Sequence, residues 1–591
     1  MSKWVVTAKS ADFNAIAEHF NIDPVVARVM RNRDLMSIEE MEGFIDGGVS
    51  MLHDPYLLPD MDKAVAMVHD AIEDDMRIRI IGDYDVDGIT STYILYKSLG
   101  EMGADVSYAI PNRITDGYGV NVSMIEDAYD SGVEMILTCD NGIAATEAIA
   151  YAKSKGMRVV VTDHHEVPFG SNHEYIYPEA DCIVNPKRHD STYPFKGICG
   201  AMVAYKLVLA LCAKRPLEQD TMKELRELAG LGTVCDVMEL KDENRALVKM
   251  ALCDMKESSN CGIRALRQVC EIEDKNPTCQ QLGFVIGPCL NATGRLDSAD
   301  MSMELLSAQS MRDAVVIATE LRRLNELRKS MTEQGTQEAF EYIEQNEMTK
   351  AKVMVVFLPN LHESLAGIVA GRIRERYYRP TFVITETETE LKGSGRSIEG
   401  YNMYEEMSKV KDVFSKFGGH AMAAGLSLPK DRLEEFVSRI NEVCDADEDI
   451  YEEKVVIDVP MPMGYVTQKL VRDLAILEPF GTGNPQPVFA EKDVILLSAK
   501  RMGKTGNMAK FNMTTAKGGR FEGVMFRGVD DMLDSLKDVY GGDRVERLFE
   551  SGYPANINMD EAVHLDIVYY PDINEFRGRE SLQYIIRDYK C

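Results

Sequence analysis

Acidic residues and histidines stand where two apolar runs of the sequence end. Asp83, Asp85 and Asp87 follow the run that begins at Met76, and a second run leads into Asp163-His164-His165. Alternate residues of an extended backbone share a face, so the three aspartates are expected to converge on one point. Crowded carboxylates stay ionised together only when protons or cations neutralise them. Carboxylate with imidazole suits divalent ions such as Mn2+ or Mg2+, which makes a metal-assisted hydrolase the leading hypothesis.

Short apolar runs, separated by longer stretches with helical patterns, must position these residues. The spacing predicts a parallel, doubly wound sheet, in which ligands bind at the carboxyl ends of the strands. Asp85, Asp140 and Asp163-His164-His165 would then meet at one edge. A lone aspartate after a strand is usually a turn or N-cap residue, but adjacent histidines at a third strand end favour metal binding. The predicted strands are Met76–Asp83, Asp105–Ile110, Met135–Cys139, Arg158–Thr162 and Cys182–Asn185.

Ordered motifs carry a family resemblance over most of the chain, from about Leu52 to about Phe526. The first four resemble the DHH phosphoesterase superfamily, and the later ones are similar to its RecJ exonuclease branch. The first four are Asp83-Tyr-Asp-Val-Asp-Gly-Ile-Thr90, Cys139-Asp-Asn-Gly142, Asp163-His-His165 and Gly232-Thr-Val-Cys-Asp236. The later ones are Gly287-Pro-Cys-Leu-Asn-Ala-Thr-Gly-Arg295, Gly393-Ser-Gly-Arg396, Gly418-Gly-His-Ala-Met-Ala-Ala-Gly425 and Leu477-Glu-Pro-Phe-Gly-Thr-Gly-Asn-Pro-Gln-Pro-Val-Phe489.

The resemblance implies an α/β fold with a parallel-sheet DHH domain, a long connecting helix, a smaller α/β DHHA1 domain and a C-terminal OB-fold β-barrel. It also implies a metal-dependent exonuclease that hydrolyses single-stranded DNA to mononucleotides in the 5′ to 3′ direction, in DNA repair and recombination. The implied cofactors are two divalent ions, Mn2+ or Mg2+. The implied partners are single-strand-binding protein and a RecQ-type helicase, and the chain is expected to be a monomer with no membrane association.

Carried over residue by residue, the resemblance implies separate metal and substrate positions. The metal positions are Asp83, Asp85, Asp87, Asp140, His164 and Asp236. The catalytic residues are Asp85, Asp140, His164, His165 and Asp236, with His165 either a ligand or a phosphate contact. Arg113, Ser394 and Arg396 resemble a pocket for the terminal 5′ phosphate, and Arg295 and His420 resemble further phosphate contacts. The chain departs from its relatives at Ile81, where pyrophosphatases have histidine, and at Cys289, where a basic residue is usual.

Net charge of −30 argues against a broad basic surface for DNA. One segment differs, because Val494–Phe521 contains several Lys and Arg residues but no Asp or Glu. Basic residues beside aromatics on short strands suit a groove that follows a single strand while its bases stack. A solvated hairpin is the alternative. The predicted nucleic-acid-binding residues are Lys500, Arg501, Lys504, Lys510 and Phe511.

A chain of 591 residues is too long for one hydrophobic core. Periodicity and punctuation place the domain boundaries, and the resemblance implies what the domains are. The prediction is an N-terminal helical cap over residues 1–75, the DHH domain over 76–300, the connecting helix over 301–349, the DHHA1 domain over 350–450 and the OB-fold with the C-terminal tail over 451–591. The start of the sequence lacks a sustained apolar region, and no run has transmembrane length. Twelve scattered cysteines predict reduced thiols in a cytoplasmic protein.

Two other functions stay open at this stage. Smaller members of the superfamily hydrolyse short oligonucleotides or cyclic dinucleotides, but they generally lack the predicted barrel. Other relatives are catalytically silent scaffolds at replication forks, which the presence of all the acidic and histidine motifs disfavours.

Overall fold

The computed structural model describes residues 2–112, 119–170, 174–296, 299–503, 506–549 and 562–591. The chain forms two compact units. The central unit contains Gly47–Tyr451 with Gly481–Gly483, and the terminal unit contains Met1–Asp46, Glu452–Phe480 and Asn484–Cys591. No described helix combines the length and the apolar character that a membrane span needs.

The N-terminal segment divides differently from the predicted cap over residues 1–75. Strand β1 (Lys3–Val6) and helices α1 (Phe13–Phe20), α2 (Pro24–Asn32) and α3 (Ile38–Asp46) belong to the terminal unit, and only α4 (Met61–Glu73) packs in the central unit. The reason is the pairing of β1, which runs parallel to residues 454–457 at the start of the second segment of the terminal unit. Helical periodicity alone does not reveal which sheet a helix covers.

A five-stranded sheet organises the first part of the central unit. Its strands are β2 (Arg77–Ile81), β3 (Asp105–Ala109), β4 (Met135–Cys139), β5 (Arg158–Thr162) and β6 (Cys182–Val184). The order is β3-β2-β4-β5-β6 and every neighbouring pair is parallel, which confirms the predicted sheet. All five residues of β4 are buried, as expected for a strand covered on both faces.

Successive strand residues enter cores on opposite faces of this sheet. Ile80 and Leu137 belong to a core that includes α4 and later helices such as α5 (Val86–Glu101) and α8 (Gly200–Leu211), while Ile81 and Ile136 pack with α6 (Val122–Asp130) and α7 (Thr146–Ser154). The helices of this region are α5 (Val86–Glu101), α6 (Val122–Asp130), α7 (Thr146–Ser154), α8 (Gly200–Leu211), α9 (Gln219–Cys235), α10 (Asp242–Asp254), α11 (Cys261–Val269), α12 (Cys279–Gln281), α13 (Gly287–Leu296) and α14 (Asp300–Leu306).

The long helix α15 (Met311–Gln345) leads to a smaller α/β domain of the same unit. It starts later than residue 301, because α14 ends first and Ser310 caps the new helix. The sheet order is β10-β11-β9-β8-β7, with β7 and β8 parallel and the other pairs antiparallel. Its elements are β7 (Met354–Phe357), α16 (Ala366–Tyr377), β8 (Thr381–Glu386), β9 (Leu391–Arg396), α17 (Met403–Lys409), β10 (Lys416–His420), β11 (Ala423–Leu428) and α18 (Leu433–Glu442).

A closed β-barrel forms most of the terminal unit. Strands run in the order β14-β15-β16-β18-β17, and β17 also pairs with β14, which closes the ring. This confirms the predicted C-terminal barrel and leaves few open strand edges. The elements are β12 (Lys454–Ile457), β13 (Val459–Pro460), α19 (Gln468–Leu474), β14 (Phe489–Met502), β15 (Met508–Thr515), β16 (Phe521–Met525), α20 (Val529–Tyr540), α21 (Gly542–Arg547), β17 (Val563–Phe576) and β18 (Arg579–Lys590).

Candidate metal centre

The segment after β2 does not continue as an extended strand. Asp85 is the N-cap of α5, and its Oδ1 accepts a hydrogen bond from the backbone N–H of Gly88 at 3.1 Å. Asp87 therefore lies in the first turn of that helix. The expectation that alternate residues share one face of a strand is wrong here. A carboxylate that satisfies a free N–H starts a helix instead.

Two of the three aspartates, Asp83 and Asp85, still converge with Asp140 at the carboxyl edge of the sheet. One oxygen from each of Asp83, Asp85 and Asp140 lies within 4.8 Å of the others. Asp140 follows β4 with a φ of 60°, a left-handed conformation that aspartate tolerates better than most residues. Gly88 allows the start of α5 to lie against the backbone of Asp83, because a Cβ at residue 88 would lie 2.4 Å from the carbonyl oxygen of Asp83. The exits of β2 and β4 thus form one group of three carboxylates.

A second group adjoins the first through His164. Its Nε2 lies 3.0 Å from Asp140 Oδ1, 3.7 Å from Asp87 Oδ2 and 3.7 Å from Asp236 Oδ2. Asp236 caps the C-terminal end of α9. Asp87, His164 and Asp236 can offer ligand atoms to one ion, and so can Asp140, His164 and His165. The predicted metal residues therefore form two adjacent groups, and the third set joins them because it contains Asp140 of one and His164 of the other.

Asp87 also holds a helix at the site. Its Oδ2 accepts a hydrogen bond from the N–H of Gly200 at 2.7 Å, and its Oδ1 accepts one from Ala201 at 2.9 Å. These donors belong to the first turn of α8. The partial positive charge of that terminus stabilises the buried carboxylate.

Asp163 orients the histidines rather than joining either group. Its Oδ1 accepts hydrogen bonds from the backbone N–H of His164 at 2.7 Å and from Nδ1 of His165 at 2.8 Å. Burial alone would lower the pKa of His165, but the charge and hydrogen bond of Asp163 raise this pKa to about 9. Burial likewise opposes ionisation of Asp163, yet His165 lowers the pKa of Asp163 to about 2. The pair is therefore an imidazolium beside a carboxylate at neutral pH.

Burial and mutual repulsion dominate the electrostatics of the carboxylates. Burial, followed by the charges of Asp87 and Asp85, raises the pKa of Asp140 well above its usual range and raises that of Asp236 to about 8. Burial lowers the pKa of His164 to about 4, which leaves a neutral imidazole able to donate a lone pair. Oδ1 of Asp140 is buried and accepts no well-aligned hydrogen bond from any described donor, although Nε2 of His164 lies 3.0 Å away. A cation would offset the repulsion between the carboxylates and would give Asp140 Oδ1 a partner.

The smaller domain brings two of its predicted residues to one edge. Arg396 on β9 and His420 on β10 are both register partners of Ala423 on the strand between them. Ser394 shares the half-buried face of β9 with Arg396. Burial, then the charges of Arg396 and Lys187, lower the pKa of His420. The His420 imidazole thus stands in a positively charged environment suited to phosphate.

Lys187 is a residue that sequence reasoning missed. It follows β6, and its Nζ lies 3.1 Å from Oε1 of Glu166. Its charge lowers the pKa of His164 and of Asp236 as well as that of His420. The missed signal was its place beyond the fifth predicted strand, at the same edge as the other strand-end residues.

Three predicted residues lack a structural account. Arg113 and Lys504 lie outside the described residues, and so does the side chain of Arg295, although its backbone belongs to α13.

The barrel places its predicted residues on two different faces. Phe511 is fully buried in the barrel core, so the expectation that it stacks on bases is wrong. Residues alternate along β15, which turns Lys510 outward where Phe511 turns inward. Lys510 pairs with Glu522 at 2.6 Å, and Arg501 pairs with Asp530 at 2.5 Å. Lys500 is exposed and is the register partner of Lys510.

Comparisons with known proteins cover all three domains. Residues 77–233 match the model of the DHH family N-terminal domain, residues 350–446 match the DHHA1 domain, and residues 457–588 match the RecJ OB domain. The single-stranded-DNA-specific exonuclease RecJ of Salmonella typhimurium is 33% identical over 96% of this chain and 96% of its own length. Its counterpart in Bacillus subtilis is 31% identical over 99% of this chain and 70% of its own length.

Solved structures agree with these sequence relationships. RecJ from Thermus thermophilus in complex with Mn2+ matches with a TM-score of 0.80 and 26% identity, over 100% of this chain and 79% of that one. An exonuclease RecJ bound to manganese matches with a TM-score of 0.56 and 31% identity, over 66% of this chain and 95% of that one. The chain belongs to the RecJ family of single-stranded-DNA-specific exonucleases.

Proposed function

We propose that this protein is a metal-dependent exonuclease that degrades single-stranded DNA to mononucleotides from the 5′ end, in DNA repair and recombination. The observation that carries the proposal is the pair of adjacent ligand groups joined at Asp140 and His164 in a chain of the RecJ family. Membership supports the substrate, because the relatives are named for their specificity for single-stranded DNA.

The proposed cofactors are two divalent ions, Mn2+ or Mg2+. Asp83, Asp85 and Asp140 would hold one ion, and Asp87, His164 and Asp236 the other. Carboxylate oxygens with one neutral imidazole fit such ions. The buried Asp140 Oδ1 accepts no well-aligned hydrogen bond from a described donor, and a cation would give it a partner. RecJ from Thermus thermophilus was solved in complex with Mn2+ and in complex with Mg2+.

When bound, two such ions would activate water near neutral pH and offset the negative charge of the reacting phosphate. The side chains around them do the positioning. The Asp163 carboxylate keeps His165 protonated, so this imidazolium would donate a hydrogen bond to a phosphate oxygen. Lys187 and His420 would contact the same anion from opposite domains of the central unit. Asp87 would keep the N-terminus of α8 close to the phosphate that is hydrolysed.

Recognition of the strand end is assigned to the smaller domain. Arg396 and Ser394 on one face of β9, together with Arg113, would bind a terminal 5′ phosphate, and Arg295 would bind a neighbouring phosphate. A terminal monoester carries more charge than an internal diester, so a guanidinium that donates paired hydrogen bonds favours chain ends. This preference sets the proposed 5′ to 3′ direction.

The barrel is proposed to hold the rest of the strand. Lys500, Arg501, Lys504 and Lys510 would contact phosphates, with the exposed Phe526 replacing Phe511 as the aromatic surface. We also propose a cytoplasmic monomer that acts with single-strand-binding protein and a RecQ-type helicase. Twelve free cysteines support the reducing compartment. Light scattering of the purified chain tests whether it is a monomer in solution.

Digestion of end-labelled single and double strands with Mn2+ or Mg2+ tests the function. We expect mononucleotides released first from the 5′ end of single strands, while blunt duplexes and a cyclic dinucleotide stay intact. Rapid hydrolysis of the cyclic dinucleotide, or release from the 3′ end first, would contradict the proposal.

A further inference from the structure

Two cysteines that the proposed function does not use lie side by side. Cys270 is the C-cap of α11 and Cys289 lies in the first turn of α13, yet their Sγ atoms are 3.9 Å apart. A disulfide has an S–S length of about 2.0 Å, so the sulfurs need to approach by roughly 2 Å. Side-chain rotation with a small helix shift can supply a movement of this size.

The two thiols differ in their access to solvent. Cys270 is half-buried, whereas Cys289 is 1% exposed. An oxidant in solution therefore reaches Cys270 first, whereas Cys289 is shielded from solvent. Redox-sensing proteins often place an accessible thiolate next to a resolving cysteine in this way.

Helix α15 packs against both α11 and α13 and supplies polar groups to the pair. Nδ2 of Asn325 lies 3.5 Å from Cys289 Sγ and donates to it. Arg322 donates to the carbonyl oxygen of Val269, which places a guanidinium beside the end of α11. The hydrogen bond from Cys289, then the charge of Arg322, lower the pKa of Cys270 to about 7 against the effect of burial. The lowered pKa favours the thiolate of Cys270 over its thiol.

The same helix α13 contacts the segment that carries the candidate ligands. Oδ1 of Asn291 accepts a hydrogen bond from the N–H of Val86 at 3.1 Å. Gly294 packs so closely that a Cβ there would lie 2.4 Å from the carbonyl oxygen of Tyr84. Packed interiors transmit displacements of this size because they have few voids. A shift of Cys289 therefore reaches the backbone on both sides of Asp85.

We propose that Cys270 and Cys289 form a reversible disulfide when the protein meets a peroxide, and that this cross-link weakens divalent-ion binding at the Asp85 segment. The second half rests on the proposed metal centre, whereas the first half does not.

The chemistry balances with hydrogen peroxide as the oxidant. The Cys270 thiolate attacks one peroxide oxygen, the O–O bond breaks, and a sulfenic acid and hydroxide form. The Cys289 sulfur then attacks the Cys270 sulfur, the S–O bond breaks, and the leaving hydroxide takes the Cys289 proton as water. Each sulfur gives up one electron to the peroxide oxygens. A dithiol reductant reverses the reaction by thiol–disulfide exchange.

Peptide mapping of the full-length, metal-free protein tests the disulfide. The protein is treated with hydrogen peroxide and then unfolded in urea, so that every remaining free thiol is alkylated, before it is digested without reduction for mass spectrometry. We expect a linked pair of peptides containing Cys270 and Cys289, which disappears after dithiothreitol. Cys270→Ser should lose the link, while Cys253→Ser, at an exposed cysteine of the same unit, should keep it. A Cys289 thiol that stays open to alkylation, or a link from Cys270 to another cysteine, would overturn the proposal.

Calorimetric titration with Mn2+ tests the coupling. We expect the oxidised protein to bind on the order of tenfold more weakly, as when groups that orient metal ligands are disturbed. Dithiothreitol should restore the affinity, and peroxide should leave the affinity of Cys270→Ser unchanged. Equal affinities of the oxidised and reduced proteins would overturn the coupling. Absence of Mn2+ binding in both forms would refute the metal centre and its coupling, while the mapping still decides the disulfide.

Discussion

The carboxyl edge of the parallel sheet and the outer face of the barrel carry their charges in opposite ways. At the sheet edge, burial and neighbouring carboxylates raise the pKa of Asp140 and Asp236, so the group resists full ionisation. On the barrel, Arg501 and Lys510 already face Asp530 and Glu522. The first region needs a cation from outside, whereas the second is partly neutralised by its own residues.

The difference shows which charged clusters are strong evidence for a ligand. A buried group of like charges is costly unless something binds it, because desolvation and repulsion act together. Exposed ion pairs of opposite sign contribute little to stability or binding and occur on most surfaces. The sheet edge is therefore the firmer basis for function, and the predictions below test that ranking.

Removing Asp140 should have the largest effect. We expect Asp140→Ala to slow hydrolysis of single-stranded DNA about a thousandfold or more, because the ion proposed to lie between Asp83, Asp85 and Asp140 loses a ligand and no longer stabilises the transition state. Binding of the strand should change little. Single-turnover digestion and a filter-binding assay measure the two effects.

Asp105→Ala is the matched control for Asp140→Ala, since Asp105 lies at the opposite edge of the same sheet and forms an exposed ion pair with Arg77. Its activity should stay near that of the unchanged protein. Near-normal turnover of purified Asp140→Ala would rule out the two-ion centre.

Removing the arginine of the phosphate pocket should have the next largest effect. Arg396→Ala should slow digestion of 5′-phosphorylated strands roughly 30-fold, as expected for loss of charge-assisted hydrogen bonds, and should affect 5′-hydroxyl strands much less. Lys392→Ala is the control, because Lys392 shares a strand and a face with Arg396 but pairs with Glu363. An equal loss on both substrates would exclude a dedicated 5′ phosphate pocket.

Strand-end chemistry was predictable from the sequence, whereas the local geometry around it was not. The apolar runs before Asp83, Asp140 and Asp163 are strands of one parallel sheet, and topology alone brings their exits together. The start of α5 at Asp85 depends on a single capping hydrogen bond, which competes with strand continuation over a few residues. Periodicity does not decide such a competition.

Long-range pairing and side-chain direction account for the other differences. The residues 1–46 join the terminal unit because β1 pairs with β12, and the sequence contains no signal for that distant partner. Phe511 alternates with Lys510, so the two residues of one predicted groove had to point in opposite directions. The inward direction of Phe511 follows from the apolar residues Ala509 and Met513 on the same face.

The charged histidine predicts how stability varies with pH. Without metal, His165 keeps its proton up to about pH 9, while in the unfolded chain it loses the proton near 6.5. Asp236 similarly ionises near 8 when folded and near 3.8 when unfolded. Both raised pKa values favour the folded state at lower pH and lose this contribution as pH rises through the folded pKa.

The free energy of unfolding of the metal-free protein should therefore fall between about pH 6.5 and 9. Urea denaturation across this window measures the slope. His165→Gln should flatten it, whereas His19→Gln, at an exposed position in the terminal unit, should not. A slope unchanged by His165→Gln would mean that His165 and Asp163 do not form a charged pair.

Removing a positive charge from the barrel should have the smallest effect. The existing ion pairs determine which lysine substitution changes the salt dependence of DNA affinity more. Lys500 has no carboxylate partner among the described residues, so its phosphate contact would release a counterion on binding. We expect Lys500→Ala to reduce the slope of log affinity against log salt by up to about 0.7. Lys510→Ala should reduce it less, because Glu522 already offsets that charge. Equal, unchanged slopes for both variants would mean that this face is a solvated hairpin and that single strands are held elsewhere.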